Sequence, residues 1–317
     1  MRILLFLSMS IFNLFGYDFD HPKYELIQKE LIEKHNFSAD EVKFIIGQAE
    51  KQQKIIDSMN SPAEFTWTWD KYRKLFIEPK RIKNGKLFIK NNLETLEKAE
   101  AQFGVPKEII TAILGVETRY GKIMGSYRVL DALSTLSFDY PRRSNFFSQE
   151  LISLLLLARE NSLDVFELKG SYAGAMGFGQ FIPSSYRAYA VDFDDDGSVD
   201  LLNSVEDAIG SIANYLFQHG WKSGYPIIWE VDNSFEGYDL TGVINNVRKQ
   251  VNFDSKTMSP IGVSDFDGLN TKVLLLSYDT NKSTNYFIGS RNFIAITKYN
   301  VSHFYAKVVY DLAKEFL

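Results

Sequence analysis

Apolar residues recur at the three- and four-residue spacing of an amphipathic helix over most of the first two thirds of the chain. Ser38 and Glu41 form the pattern of an N-terminal capping box, and Val42 and Ile45 follow at helical spacing. The pattern therefore predicts a mostly helical region over residues 17–105.

The pattern changes in the last third of the chain. Between residues 226 and 296, short alternating runs such as 272–276 are bounded by Asp, Asn and Gly, which is typical of strands. A final helix is predicted over 297–317, with Val301 and Tyr305 on its apolar face.

These patterns together predict a mainly α protein of the α+β class, and 317 residues that are 45% apolar are enough to bury a large core. The predicted division is a signal peptide at 1–16, an N-terminal helical region at 17–105, a helical core at 106–225, a small β-rich domain at 226–296 and a C-terminal helix at 297–317.

The N-terminal segment has the order of charge and hydrophobicity of a secretory signal peptide. Arg2 is followed by an apolar run that ends at the small residue Gly16. An uncleaved anchor is the alternative, because Leu14 is not the small residue expected before a cleavage site. Nothing else in the chain approaches the roughly 18 apolar residues of a membrane helix. The signal-peptide pattern predicts export, to the periplasm or to the outside of a bacterium, and the periplasm is the predicted location.

Composition excludes several classes of function. The chain contains no Cys, which excludes disulfides, thiolate nucleophiles, cysteine-ligated zinc and lipid attachment at an N-terminal Cys. Its net charge of −5 and the lack of a long Lys/Arg block argue against binding of nucleic acid.

One acidic residue occupies a position that helix geometry turns toward the core. A helix is predicted to start at Pro106 and to close at Gly121, and Glu117 continues the apolar stripe of Ile113 and Leu114. Burial disfavours the charged form and raises the pKa of a carboxyl group, which suits a general acid near neutral pH.

For an isolated glutamate, another reading is open. Glu117 lies near the end of the predicted helix, where its side chain can reach solvent or pair with Arg119 or Arg128. The alternatives are therefore a catalytic acid and an ordinary surface carboxylate.

A glycine-rich segment, Gly170–Gln180, lies about fifty residues downstream of Glu117. Glycines let a ligand approach the backbone, and Ser171 and Gln180 supply neutral hydrogen-bonding groups. The segment is no phosphate loop, because no Gly-Lys-Ser/Thr follows. A tight connection between two helices is the alternative.

Taken together, these segments resemble the lytic murein transglycosylase B family. The resemblance extends from about Tyr24 to the C-terminus and is densest over 110–225. The matching blocks are Gly115–Gly121, Leu130–Leu136, Tyr140–Arg143, Gly170–Tyr186, Asp207–Ser211 and His219–Trp221.

The resemblance implies a lysozyme-like core at 106–225 with Glu117 as the sole catalytic acid and base. In the implied reaction, Glu117 protonates the glycosidic oxygen between N-acetylmuramic acid and N-acetylglucosamine. It then takes the proton of the muramyl C6 hydroxyl, which closes a 1,6-anhydro ring without consuming water. This differs from most glycosidases, which use two carboxylates.

Several further residues are implied to contact the glycan. They are Ser171, Gln180, Tyr215, Tyr72 and the pair Tyr299 and Asn300. For Tyr72 and Tyr215 a place in the core is the alternative, and the aromatic cluster of Phe65, Trp67, Trp69 and Tyr72 suits either core packing or sugar stacking. Asn300 is also a preferred capping residue for the helix predicted after it.

An acidic loop at 192–200 has the spacing of the front half of a calcium-binding loop. Position 12 departs from that pattern, because Asn203 stands where a Glu is expected, and the resemblance points to Asp207 instead. The predicted ligands of a structural calcium are Asp192, Asp194, Asp196, the Ser198 carbonyl and Asp207. A solvated acidic turn is the alternative, and no cofactor is predicted for catalysis.

The predicted partner is the glycan strand of peptidoglycan, and peripheral association with the cell envelope is compatible with it. A lysozyme-like hydrolase and a non-catalytic peptidoglycan-binding protein are the competing functions. Intact Glu117, Ser171 and Asn300 argue against the second. A calcium-sensing module is a weaker third, because the acidic loop is single and imperfect.

Overall fold

The computed structural model describes residues 19–60, 67–231, 235, 239–253, 271–280 and 283–317. The predicted signal peptide and Phe65 lie outside these residues. In the described part of the chain, no helix has both the length and the apolar character that a membrane crossing requires.

The chain forms two compact units. The first consists of Met1–Ser61 and Ser126–Ala175, and the second of Pro62–Gly125 and Met176–Leu317. The boundary at Ala175 falls inside the glycine-rich segment.

The first unit is helical. Its elements are α1 (Pro22–His35), α2 (Ala39–Ile46), α3 (Gln53–Asn60), α8 (Val129–Asp139) and α9 (Ser144–Glu160), with the two-residue strands β1 (Tyr127–Arg128) and β2 (Lys169–Gly170) paired antiparallel. Its core lies between α8 and α9, where Leu133 and Leu151 are fully buried. The predicted capping box is confirmed, since Ser38 and Glu41 make both of its hydrogen bonds.

The second unit surrounds one apolar helix. Its helices are α4 (Trp69–Phe76), α5 (Pro79–Asn91), α6 (Leu93–Phe103), α7 (Lys107–Thr118), α10 (Pro183–Tyr189), α11 (Val205–Gln218), α12 (Arg291–Tyr299) and α13 (His303–Lys314). The residues of α7 from Ile109 to Gly115 are all buried, because α5, α6, α11 and α13 pack around this helix.

The second unit also contains an antiparallel sheet in the order β3-β6-β5-β4. Its strands are β3 (Ile228–Val231), β4 (Val251–Phe253), β5 (Thr271–Asp279) and β6 (Thr284–Gly289). Alternate residues of β5 face opposite sides. Val273 and Leu275 join a cluster with Phe235 and Ile288, whereas Tyr278 packs against Trp69 of α4 at 4.7 Å between ring centroids.

The prediction of a mainly helical α+β protein is confirmed. Two predicted helix boundaries were wrong. The helix α7 ends at Thr118, before Gly121, because Arg119 already adopts a left-handed conformation with φ of 52°.

At the C-terminus, the predicted single helix is two helices, separated at Asn300, whose backbone is extended with φ of −140°. Val301 lies in the break and is exposed, and Ser302 rather than Asn300 caps α13. The Ser302 side chain accepts a hydrogen bond from the Tyr305 backbone N–H, which satisfies one of the free donors at the helix start.

Candidate active site

Glu117 lies in the last turn of α7 and is half-buried. Its helix is pinned by Ile110, Ile113 and Leu114, which have no exposed surface. The Tyr305 hydroxyl, from α13, donates a hydrogen bond to Glu117 Oε1 at 2.5 Å. Because Tyr305 is itself only 2% exposed, the carboxyl group is held by a rigid donor.

The chain makes an unusual turn after Glu117. Arg119, Tyr120 and Gly121 are all left-handed, with φ of 52°, 63° and 81°. Such conformations cost free energy in residues other than glycine. The turn is stabilised by Thr118, whose hydroxyl donates to the Phe178 carbonyl at 2.8 Å and accepts from the Gly121 N–H at 2.9 Å. The end of α7 is thereby tied to the glycine-rich segment.

Tyr299 lies beside Tyr305, and Tyr215 packs against Tyr299 with ring centroids 4.9 Å apart. The rings of Tyr299 and Tyr305 are parallel to within 6°, with centroids 6.4 Å apart. The Tyr299 hydroxyl donates to the Gly179 carbonyl at 2.6 Å, and the Tyr215 hydroxyl donates to the Lys298 carbonyl at 2.6 Å. Gly179 has no room for a side chain, since an added Cβ would lie 2.8 Å from the Tyr299 oxygen.

The electrostatics keep these phenols protonated. Burial, and next the negative charge of Glu117, raise the pKa of Tyr299 and of Tyr305 well above the usual value. Burial likewise raises the pKa of Tyr215. A phenol that does not ionise remains a hydrogen-bond donor, so Tyr305 donates to Glu117 over the whole neutral range.

Gln180 has a structural part in this site. Its backbone is left-handed, with φ of 52°, and its side-chain Nε2 donates to the carbonyls of Met124 and Gly177, both at 3.0 Å. The side chain thus joins the segment after α7 to the glycine-rich segment. Contact with substrate stays a prediction.

Ser171 lies in the first unit, apart from the other predicted glycan contacts, which belong to the second. Its hydroxyl oxygen accepts hydrogen bonds from the N–H groups of Ala173 and Ala175, at 3.3 and 3.0 Å. These bonds shape the turn locally and leave the hydroxyl proton available for donation. Its contact with substrate also stays a prediction.

Tyr72 and Tyr215 are 3% and 8% exposed. Tyr72 packs against Phe76 and Phe304 with ring centroids 5.0 and 5.5 Å apart, and Tyr215 stacks on His219 at 4.0 Å. Both therefore belong to the packed core of the second unit, and their contact with glycan stays a prediction.

Asn300 is exposed and lies one residue beyond the end of α12. Its carbonyl accepts a hydrogen bond from the Ser302 N–H at 2.7 Å, which stabilises the break between α12 and α13. Because this break immediately follows Tyr299, it decides where the tyrosine and the asparagine are presented.

The acidic loop brings together three of the predicted metal ligands. One carboxylate oxygen from each of Asp192, Asp194 and Asp196 lies within 4.8 Å of the other two. Backbone N–H groups partly offset their charge: those of Asp196 and Gly197 donate to Asp192 at 3.1 and 2.8 Å. An all-oxygen donor set of this spacing fits a hard cation such as Ca²⁺.

Asp207 and Ser198 are not part of this group of three carboxylates. The Asp207 carboxylate accepts from the N–H groups of Phe193 and Asp200, both at 2.7 Å, and so clamps the two ends of the loop. Ser198 is exposed, and its N–H donates to Asp196 at 2.8 Å. Their coordination of a metal stays a prediction.

Tyr305 is the residue that sequence reasoning missed. Its position on the apolar face of the last helix marked it as a core residue, and the burial is correct. The available signal was its hydroxyl group, because a buried tyrosine hydroxyl needs a hydrogen-bond partner. Only the packing of α13 on α7 identifies Glu117 as that partner.

The chain is similar in sequence to known transglycosylases. A family described as transglycosylase SLT domain matches residues 19–314. The membrane-bound lytic murein transglycosylase B of Escherichia coli K12 is 38% identical over 309 residues, which cover 94% of this chain and 84% of that protein.

Two solved structures are also similar. The E. coli lytic transglycosylase Slt35 in complex with calcium has a TM-score of 0.84 and 38% identity, with 95% of each chain covered. SltB3 of Pseudomonas aeruginosa, in complex with NAG-anhNAM-pentapeptide, has a TM-score of 0.80 and 28% identity, with 95% of this chain and 80% of that chain covered.

Proposed function

Because this chain belongs to the transglycosylase SLT domain family, we propose that it is a lytic murein transglycosylase that cleaves peptidoglycan strands. The observation that supports this most directly is the half-buried carboxyl of Glu117, held by the Tyr305 hydroxyl at 2.5 Å. The fold of the known lytic transglycosylases extends over nearly the whole chain.

In the proposed reaction, Glu117 acts first as an acid. Tyr305 occupies Oε1, so the acidic proton is carried on Oε2 and is transferred to the glycosidic oxygen. The bond between that oxygen and the muramyl C1 then breaks, and N-acetylglucosamine leaves with the proton on its new hydroxyl group. The N-acetyl group of the muramyl residue stabilises the developing positive charge.

Glu117 then acts as a base. Once ionised, it accepts the proton of the muramyl C6 hydroxyl, whose oxygen bonds to C1 and closes the 1,6-anhydro ring. The Tyr305 hydroxyl stabilises the carboxylate formed between the two steps, because a hydrogen bond to a charged acceptor is stronger than one to a neutral acceptor. One carboxyl group therefore suffices.

The test is Glu117→Gln, which preserves shape and removes the transferable proton. We expect loss of at least about 10³-fold in the rate of glycan release from purified sacculi, since general acid and base steps contribute about 10²–10⁴-fold. Mass spectrometry of wild-type products should find ends lighter by one water. Hydrated reducing ends would instead indicate a hydrolase, and an active Glu117→Gln enzyme would exclude Glu117 as the acid.

We also propose that the acidic loop binds a structural Ca²⁺ through Asp192, Asp194 and Asp196, with the Ser198 carbonyl and Asp207 completing the site. The grouped carboxylates support this assignment. Calcium here would neutralise their mutual repulsion and stabilise the loop between α10 and α11, with no part in the chemistry.

The proposed location is the bacterial periplasm, with residues 1–16 as the export signal. The apolar N-terminal run after Arg2 supports export, and the expected substrate lies in the envelope. N-terminal sequencing of the protein from the producing cell tests this: a mature chain starting near Tyr17 is expected, and a chain retaining Arg2 would contradict cleavage.

A further inference from the structure

A pocket of about 200 Å³ lies in the second unit, between the N-terminus of α5 and the segment that follows α7. Four basic residues line it: Lys80, Arg81, Arg119 and Lys122. Glu78 is the single acid among the lining residues, and its carboxylate is engaged as the N-cap of α5, accepting from the Lys80 N–H at 2.9 Å. The pocket therefore carries an excess of positive charge, to which the positive end of the α5 dipole adds.

Arg81 is the most unusual member. Its side chain is 4% exposed and stacks on Phe76, with the guanidinium carbon 4.9 Å from the ring centroid. One guanidinium nitrogen donates to the Leu75 carbonyl at 2.9 Å, whereas its buried Nε has no hydrogen-bond partner among the described residues. Burial, and then the neighbouring charge of Arg119, lower the pKa of Arg81. A buried cation with an unused donor is costly unless an anion joins it.

Among the described residues, the other three cations show no carboxylate partner either. Within the described ranges, Lys80, Arg119 and Lys122 form no ion pair of 4.0 Å or less, whereas other cations of the same unit do. Examples are Arg73 with Asp311 and Lys98 with Asp195, both close to 3.2 Å. Acids are plentiful in this chain, with 40 Asp and Glu against 35 Lys and Arg. No ion pair within the pocket lining therefore offsets the charges of these three residues.

The pocket is close to the proposed catalytic residue. Arg119 is two residues from Glu117, so their Cα atoms are at most about 7 Å apart. The left-handed backbone of Arg119 turns the chain at this point, directly from the catalytic helix into the pocket wall. An extended peptide of three residues spans about 10 Å, which is longer than the separation of these two Cα atoms.

We propose that this pocket binds a carboxylate of the acidic peptide stem carried by the muramyl residue of the substrate. The guanidinium groups of Arg81 and Arg119 offer the planar forks that hold a carboxylate through two hydrogen bonds, and Lys80 and Lys122 add charge at the rim. The pocket thus contributes to substrate positioning. The proposal rests on the proposed function, because a bound glycan strand brings the peptide there.

The test uses isothermal titration calorimetry to measure binding of the tripeptide L-Ala-γ-D-Glu-meso-diaminopimelate to the full-length protein. Arg119→Gln/Lys122→Gln is the variant, since Arg81 is too deeply buried to replace safely. Lys86→Gln, on the exposed side of α5, is the matched control. Thermal unfolding of each variant verifies that it is folded.

We expect the double variant to bind the tripeptide at least about tenfold more weakly than the wild type and Lys86→Gln. The wild type should bind a tripeptide with amidated carboxylates as weakly as the double variant binds the unmodified tripeptide. Equal binding by all three proteins, or no measurable binding by the wild type, would overturn the proposal. If the wild type bound inorganic phosphate as tightly as the tripeptide, the pocket would be assigned to a phosphate ligand and the proposal would be overturned. The same conclusion would follow if the double variant lost binding to vesicles of anionic lipid but kept its binding of the tripeptide.

A second measurement separates this proposal from the catalytic one. In the double variant, kcat/KM on glycan strands that carry stem peptides should fall at least about threefold more than on strands stripped of peptide. An equal fall on both substrates would contradict peptide recognition. If the wild type cleaved neither substrate, the proposed function would fail, whereas calorimetry would still decide what the pocket binds.

Discussion

Glu117 owes its orientation to a residue 188 positions away in the chain, Tyr305. A carboxyl that must give and then recover a proton needs a fixed donor, because free rotation would spoil the geometry of both transfers. Tyr305 meets this need, since it is buried and its phenol does not ionise near neutral pH. We therefore propose that Tyr305 is a positioning residue for Glu117.

Replacing Tyr305 by Phe should lower kcat by about 10–100-fold, since a hydrogen bond to a charged group contributes about 1.5–3 kcal/mol. Glycan release from sacculi measures the effect. Tyr278→Phe is the matched control, because it removes a buried hydroxyl that donates to the His303 carbonyl at 3.0 Å. Similar losses of activity in the two variants would show a general effect on folding instead of a role beside Glu117.

At the scale of the elements, the end of α7 is the critical junction. Gly121 combines a positive φ of 81° with a position where an added Cβ would lie 2.1 Å from the Phe178 ring. Two requirements, backbone freedom and close approach, thus coincide at one residue. The contact matters because Phe178 belongs to the glycine-rich segment that the Thr118 hydroxyl also binds.

Gly121→Ala should lower the free energy of unfolding by about 3 kcal/mol, from the left-handed backbone and the overlap with Phe178. Gly224→Ala separates the two causes, because Gly224 has φ of 69° and no atom within 4 Å of the added Cβ. About 1 kcal/mol is expected there. Urea denaturation measures both, and equal losses would contradict the steric argument.

The acidic loop provides a second prediction at this scale. Added Ca²⁺ should raise the melting temperature by several degrees, since a ligand at 100 times its Kd stabilises by about 2.7 kcal/mol. Asp194→Asn should abolish that rise. Asp164→Asn should retain it, because Asp164 accepts a backbone N–H two residues ahead, as Asp194 does, but lies outside the loop. A melting temperature independent of calcium in the wild type would contradict the site.

The stability of the whole molecule should depend on one partly buried histidine, His303. Burial lowers the pKa of His303 from its ordinary value of 6.5 to about 4. Its Nδ1 is buried without a hydrogen-bond partner in the described residues. Between these two pKa values the unfolded chain binds a proton that the folded protein does not bind, so unfolding becomes easier as the pH falls from 6.5 to 4.

The free energy of unfolding should therefore decrease by up to about 3 kcal/mol over this interval because of His303, at 1.36 kcal/mol for each unit of pKa difference. Urea denaturation of the wild type and of His303→Gln at several pH values measures it. At pH 7.5 both proteins lack this charge, so their difference there reports packing alone. An identical pH dependence in both proteins would exclude His303 as its source.

Much of the helical structure follows from local rules. The capping box of Ser38 and Glu41 and the apolar stripe before Glu117 depend on contacts within about four residues, which the order of residues determines directly. The same rules misplaced the end of α7, because the turn there depends on a bond from Thr118 to the distant Phe178 carbonyl. They also missed the break at Asn300, although the bond that the Ser302 N–H donates to the Asn300 carbonyl is local.

By itself, the sequence determined the position of Glu117 on the apolar stripe of its helix and the two-residue spacing of Asp192, Asp194 and Asp196 in one loop, since periodicity and spacing act over short distances. Only the tertiary structure decided that Tyr305 holds that carboxyl, that Tyr72 and Tyr215 are buried, and that Arg81 meets Arg119. Those contacts arise when α5 and α13 pack on α7, and packing between distant helices depends on the shape of the whole core.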